Sequence, residues 1–117
     1  MKTIVYHLET ADRHDEDARA LRWDGSEAGA DAIRRLRAAG AFKPVAFLTV
    51  ETLEEAFART QNVTGSWAAA ERANPENAIE DGDRRSTSVG DLIKTVDGWY
   101  MVDRIGFTPV EIPILAK

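Results

Sequence analysis

The sequence predicts an α+β fold: a small antiparallel sheet with a C-terminal three-stranded β-meander, and two helices packed on one face. Three observations carry this reading. Apolar residues recur at helical spacing in two places, Ala28, Ala32, Ile33, Leu36 and Ala39, and then Leu53, Ala56, Phe57 and Thr60. Two short β-rich runs, 2–8 and 44–50, stand before and between those helices. Near the C-terminus, Asp97-Gly98 sits between two β-prone segments, a strong two-residue hairpin signal.

The elements follow in order. Lys2 to Leu8 reads as a strand, because Ile4, Val5 and Tyr6 favour β structure, and Thr3, Val5 and His7 then share a face. Asp12 to Asp17 is strongly charged and is expected to be a solvent-exposed connection. Ala18 to Trp23 is ambiguous, since its composition favours helix but Asp24-Gly25 stops it after about six residues. A helix is predicted over Glu27 to Ala39, with Asp24 and Glu27 at capping-box spacing and Ser26 as the competing N-cap. Arg34, Arg35 and Arg37 suit the negative end of its dipole, and Gly40 follows as a natural C′ residue. Those arginines also form a candidate phosphate contact.

Pro44 to Val50 is apolar on both faces, as a central strand covered by helices would be. Thr52-Leu53-Glu54-Glu55 is a capping box that opens a short helix to Gln61. From Asn62 to Ser88 the periodicity dissolves into turn signals, with one or two helical turns near Trp67 to Ala73. Trp67 is expected to pin this long connection to the body of the domain. The meander comprises Val89 to Val96, Trp99 to Ile105 and Phe107 to Ile112. Pro109 and Pro113 assign its last strand to an edge.

Composition bounds function more than it assigns it. The chain has 117 residues, 44% of them hydrophobic and 30% charged, which suits a single domain with a core of its own. There is no cysteine, so disulfides, thiolate metal sites and thiol catalysis are excluded. The net charge of −5 argues against a broad nucleic-acid footprint. No apolar run approaches the roughly 20 residues of a membrane span. Without a secretory h-region at the N-terminus, a cytoplasmic location is the expectation, and the Asn62-Val63-Thr64 sequon then has no use.

Charge is concentrated in the middle. Residues 51–91 hold nine acids against four arginines, leaving eleven of each sign elsewhere. Glu51, Glu54 and Glu55 are therefore the candidate acidic surface. Asp12, His14, Asp15 and Asp17 lack the spacing of a known zinc or calcium loop, so no metal and no cofactor is expected. Nothing in the spacing ties His7 or His14 to the hydroxyls of Ser86, Thr87 and Ser88, and no triad can be assembled. Asp91 and Asp103 stand as a carboxylate pair that could face across the hairpin, without a visible cleft.

The densest local signal is Arg84-Arg85-Ser86-Thr87-Ser88-Val89-Gly90-Asp91 before an apolar strand. It has two readings. In one, the Asp91 carboxylate accepts backbone N–H bonds across a turn that Gly90 permits and the hydroxyls close. In the other, the arginines and hydroxyls present donors to an anion.

The same stretch carries a family resemblance. Arg85-Ser86-Thr87-Ser88-Val89-Gly90-Asp91-Leu92-Ile93, then a strand ending at Asp103 before Gly106-Phe107, resembles the YodL-like domain. Leu53-Glu54-Glu55-Ala56-Phe57 through Gln61-Asn62 is similar to its upstream helix, and Trp67 matches a tryptophan in related plasmid and phage proteins. The likeness spans about residues 45–112. Arg104 and Thr108-Pro109 depart from the family pattern. What it implies is a small protein or module of phages, plasmids or conjugative elements, in a setting of conflict with host defences that includes antirestriction. It implies no catalytic residue.

The function expected is thus a non-enzymatic protein-interaction domain that meets a basic partner surface through its acidic segment. The candidate contacts are Arg84, Arg85, Ser86, Thr87, Ser88, Gly90, Asp91, Asp103, Gly106, Phe107 and Trp67. The competing class is nucleic-acid or nucleotide binding by the meander. There Arg84, Arg85, Lys94 and Arg104 meet phosphates, while Trp99, Tyr100 or Phe107 stack on bases. A monomer or a weak homodimer is expected.

Overall fold

Among the described residues, six antiparallel strands form one sheet in the order β3-β2-β1-β4-β5-β6. They are β1 (Lys2–Leu8), β2 (Phe42–Thr49), β3 (Ala78–Ile79), β4 (Leu92–Thr95), β5 (Gly98–Val102) and β6 (Phe107–Val110). The helices are α1 (Asp15–Asp24), α2 (Ala30–Ala38), α3 (Leu53–Arg59) and α4 (Trp67–Arg72). The computed structural model describes residues 1–9, 15–82 and 84–111. Among these, no helix is long and apolar enough to cross a membrane.

The α+β class and the C-terminal meander agree with the sequence reading. The helical layer differs. Successive strand residues point to opposite faces, and the two apolar clusters divide accordingly. Leu92 and Met101 pack with Leu8 against Ala18 and Leu21 of α1 and Ile33 and Leu36 of α2. Their neighbours Ile93 and Val102 pack with Val5 against Ala56 of α3 and Trp67 and Ala68 of α4. Helices therefore lie on both faces, because the sheet alternates apolar residues to both sides and each side needs a cover.

The first helical region also departs from expectation. The helix begins at Asp15, taking in the end of the charged connection and the ambiguous 18–23 segment. Residues 12–14 lie outside the described residues. The predicted helix 27–39 is split into a 3₁₀ turn, Gly25–Ala28, and α2. Gly29 separates them at φ +96°, a conformation no other residue adopts easily and no helix contains. Asp24 makes no capping bond. At the other end Ala41 N–H reaches Leu36 C=O and Gly40 N–H reaches Arg37 C=O, the Schellman pattern expected from Gly40. Two arginines of α2 are engaged by acids, Arg34 with Asp31 and Arg35 with Asp17, the latter bracing α2 on α1.

Strand β2 is not buried on both faces. It carries a bulge opposite Val5/Tyr6, so that Val45 and Ala46 both turn into the α3–α4 cluster. Beyond it Phe47 faces outward, 49% exposed. Thr52 caps α3 by accepting the Glu55 N–H, while Glu55 accepts the Glu51 N–H. The helix ends at Arg59, two residues early, where Thr60 turns its hydroxyl back to Ala56 C=O. The long connection contains the expected turns of helix, as α4, and an unforeseen edge strand, β3.

In the meander, β4 starts only at Leu92, because Val89 and Gly90 form the preceding turn. Thr95 pairs with Gly98, which moves the hairpin turn to Val96-Asp97. A type I′ turn needs positive φ at both central residues. Neither has it, and the positive φ falls on Gly98 instead. The return strand stops at Val102 rather than Ile105. Strand β6 lies at the edge, as Pro109 requires, and is traced to Val110; Ile112 and Pro113 lie outside the described residues.

Candidate functional site

The turn before β4 is built around one buried carboxylate. Asp91 Oδ1 accepts the Leu8 N–H at 2.7 Å and Arg85 Nη2 at 2.8 Å. Its Oδ2 accepts Arg85 Nη1 at 2.7 Å and the Ser88 N–H at 2.8 Å. The carboxylate is thus filled from four directions, with Arg85 in two-pronged contact. Arg85 also donates to Leu8 C=O and Ser86 C=O. That hydrogen bonding to Asp91 pushes its guanidinium pKa further up. The clasp closes the end of β1 onto the start of β4.

Each hydroxyl in the segment has an internal task. Ser86 Oγ accepts the Asn62 N–H at 2.8 Å, and Ser88 Oγ lies 3.3 Å from Arg85 Nη1. Thr87 Oγ1 is 2.9 Å from His7 Nε2, and the Thr87 N–H donates to Thr60 C=O. Trp67 is buried and donates its indole N–H to Arg85 C=O at 2.8 Å. Its backbone N–H donates to Asn62 Oδ1. Trp67 therefore pins the connection as expected. Arg84 faces Glu9 at 3.6 Å and donates to Asp81 C=O. The Gly90 N–H donates to Val102 C=O.

His7 is fully buried beneath this turn, edge-on to Trp67 at 6.1 Å between ring centroids. Burial lowers its pKa to about 4; Asp91 opposes the shift, and Arg85 and Arg84 reinforce it. Its Nδ1 is buried without a hydrogen-bond partner among the described residues. Sequence spacing gave no hint of a histidine–hydroxyl pair, since 80 residues separate His7 from Thr87. The alternation that placed His7 with Val5 was the available signal. The pair has the distance of a base and a nucleophile, but both side chains are sealed from solvent and no substrate reaches them.

Asp91 and Asp103 do not form a pair of acids. Asp103 belongs to a second network at the β5–β6 turn, accepting the Ser26 hydroxyl at 2.6 Å, the Thr108 hydroxyl, and the Ser26 and Arg104 N–H groups. The Ser26 and Thr108 hydroxyls hold its pKa down at about 2. Ser26, a candidate N-cap from sequence, is thus a tether between the 3₁₀ turn and the hairpin. The Asp103 N–H closes the turn on Gly106 C=O.

Around that turn the structure brings together residues from two separate sequence predictions. Glu54, from the acidic surface, lines a shallow groove of about 290 Å³ with Phe57, Asp103, Arg104, Gly106 and Phe107. The Phe57 and Phe107 rings meet edge to face at 6.3 Å. Ile105, at the tip, is 94% exposed. Glu51 and Glu54 are exposed, whereas Glu55 is engaged by Arg59 and the Glu51 N–H. Of the residues of the nucleic-acid reading, Lys94 and Trp99 meet, the ammonium 5.8 Å from the ring centre, and the others are divided. Arg84 and Arg85 turn inward to their partners, and alternation along β5 sets Trp99 and Tyr100 on opposite faces.

Among the described residues, no group of three or more histidines and acids could hold a metal ion. Asp12 and His14 lie outside the described residues. In comparisons with known proteins, no family model, curated protein or solved structure matches the chain.

Proposed function

We propose that this chain is a non-enzymatic protein-interaction domain whose contact surface is the corner where α3 meets the β5–β6 turn. One observation carries the reading. The segment richest in polar chemistry is consumed by the fold, while this corner leaves carboxylates and apolar atoms facing solvent together. Glu51 and Glu54 supply negative charge, the Phe57–Phe107 floor supplies apolar contact, and Ile105 projects beside it. The Asp103 network fixes the turn before any partner arrives, which lowers the ordering cost of binding. The complementary partner is a protein with a basic groove around an apolar socket. An accessory role for a phage or plasmid in the cytoplasm, in conflict with host defences, belongs to the same proposal and rests on the resemblance to YodL-like domains.

The test is a pull-down from host lysate, run with and without nuclease, with wild-type protein and a Glu51→Lys/Glu54→Lys variant. Glu55 is left alone because it holds the start of α3. A protein retained by the wild type and lost from the folded variant is the expected result. Recovery of nucleic acid, or of a protein indifferent to the reversal, overturns the proposal.

A further inference from the structure

The α3 corner holds the ingredients of a site for one kind of side chain. Glu54 and Phe57 are three residues apart on α3, so the carboxylate and the ring stand on one face of the helix. Phe107 opens β6 directly after Gly106 and brings a second ring against the first, edge to face, at an interplanar angle of 74°. Both rings are half-buried, so part of each stays open to the groove they line.

The two carboxylates of that groove have different roles. Asp103 accepts from four donors, which fills its oxygens, so it supplies charge alone. Glu54 is exposed, and its carboxylate makes no hydrogen bond or ion pair among the described residues. Arg104 sets one cation against these two acids, and the lining keeps one net negative charge.

We propose that this groove receives an arginine side chain from the rim of the partner's basic surface, an inference that rests on the reading of the corner as a protein contact. The chemistry selects arginine. Its apolar stem lies along the Phe57 and Phe107 rings, while its planar, weakly hydrated guanidinium stacks on a ring and meets Glu54 in a two-pronged hydrogen bond. A lysine ammonium is a compact, strongly hydrated charge and gains less from the rings. An apolar side chain would strip water from the Glu54 carboxylate without pairing it, and an acidic one would be repelled. The opposite side of the β5–β6 turn provides a contrast within the same molecule. There Asp24, Ser26, Glu27, Asp103, Arg104 and Ile105 line a hollow with three carboxylates and no ring. Charge alone would draw a cation to that side, whereas the rings direct arginine to the α3 side.

Titration of the isotope-labelled full chain with acetyl-arginine-amide, followed by NMR, tests this. The expected result is saturable movement of the Glu54, Phe57 and Phe107 resonances, while those of Asp24 and Glu27 stay still. Acetyl-lysine-amide should bind about threefold more weakly, or worse. Glu54→Gln should weaken arginine binding by about threefold or more, and Phe107→Leu should erase the advantage of arginine over lysine. Glu54→Gln alters an exposed side chain with no internal partner, so it keeps the test decisive even where Phe107→Leu does not fold. Movement spread over both sides of the turn, equal affinity for the two amides in the wild type, or arginine binding unchanged in Glu54→Gln overturns the inference. The pull-down separates the two proposals. A partner lost on Glu51→Lys/Glu54→Lys without arginine binding in the groove refutes the arginine site and keeps the contact surface. Arginine binding without such a partner refutes the contact surface and keeps the arginine site.

Discussion

Acidification should weaken the fold through His7. In the folded chain its pKa is lowered to about 4 by burial, against 6.5 for the free side chain. The unfolded chain therefore takes up a proton first as pH falls. The stability associated with a neutral His7 is whole above pH 6.5 and is lost between 6.5 and about 4. At about 1.4 kcal/mol per pH unit, that interval corresponds to roughly 3 kcal/mol. This is a large fraction of the roughly 5–15 kcal/mol that holds a typical domain together. Urea unfolding at half-unit steps from pH 7.5 to 4.5 reads it out, for wild type and His7→Gln. Glutamine keeps an amide that can reach Thr87 but cannot titrate. The variant should begin less stable and then lose markedly less stability across the interval. Equal losses in both proteins would refute the assignment of this pH dependence to His7.

Other perturbations have equally definite outcomes. Gly25→Ala places a Cβ 1.9 Å from Asp103 Oδ1, at a residue held at φ +59°. It should cost about 2 kcal/mol or more in thermal unfolding and break the tether between the 3₁₀ turn and the hairpin. Asp103 itself contributes stability above pH 3.8 that disappears as pH falls through about 2, a window below that of His7. Asp103→Asn should remove that lower transition and leave the upper one in place. Trp67→Phe keeps most of the apolar bulk but leaves Arg85 C=O without the indole N–H. A loss of about 1–3 kcal/mol is expected by urea unfolding.

The parts of this structure visible in the sequence are those specified by local rules. The alternation of Thr3, Val5 and His7 fixed one face of β1, and Thr52 with Glu55 specified the start of α3. Pro109 assigned β6 to an edge. The clasp was half visible, since an aspartate after a small-residue turn suggests backbone N–H acceptance. That Leu8, far away on β1, supplies one of those N–H groups was not. The misreadings arose where a single residue overrides a pattern. Gly29 interrupts an otherwise periodic helix, and a bulge at Val45 redirects β2 so that Phe47 emerges into solvent. Placing helices on one face was a failure of a different kind. Short strands such as Leu92–Thr95 carry too few residues to show whether one side or both are covered. The pairing of His7 with Thr87 depends on β1 and β4 being neighbours, a long-range fact with no local signature.

The central claim is that the polar segment Arg84 to Asp91 is a clasp of the fold, which leaves binding to the α3 corner. A double-mutant cycle on Arg85→Ala and Asp91→Ala, measured by equilibrium unfolding, tests it most directly. Asp91 is buried while Arg85 is partly open to solvent, so a coupling of about 2 kcal/mol is expected, below the roughly 3–5 kcal/mol lost on breaking a fully buried pair. Additive effects, with coupling within about 0.5 kcal/mol, would contradict the clasp and return Arg85 to the role of a ligand contact.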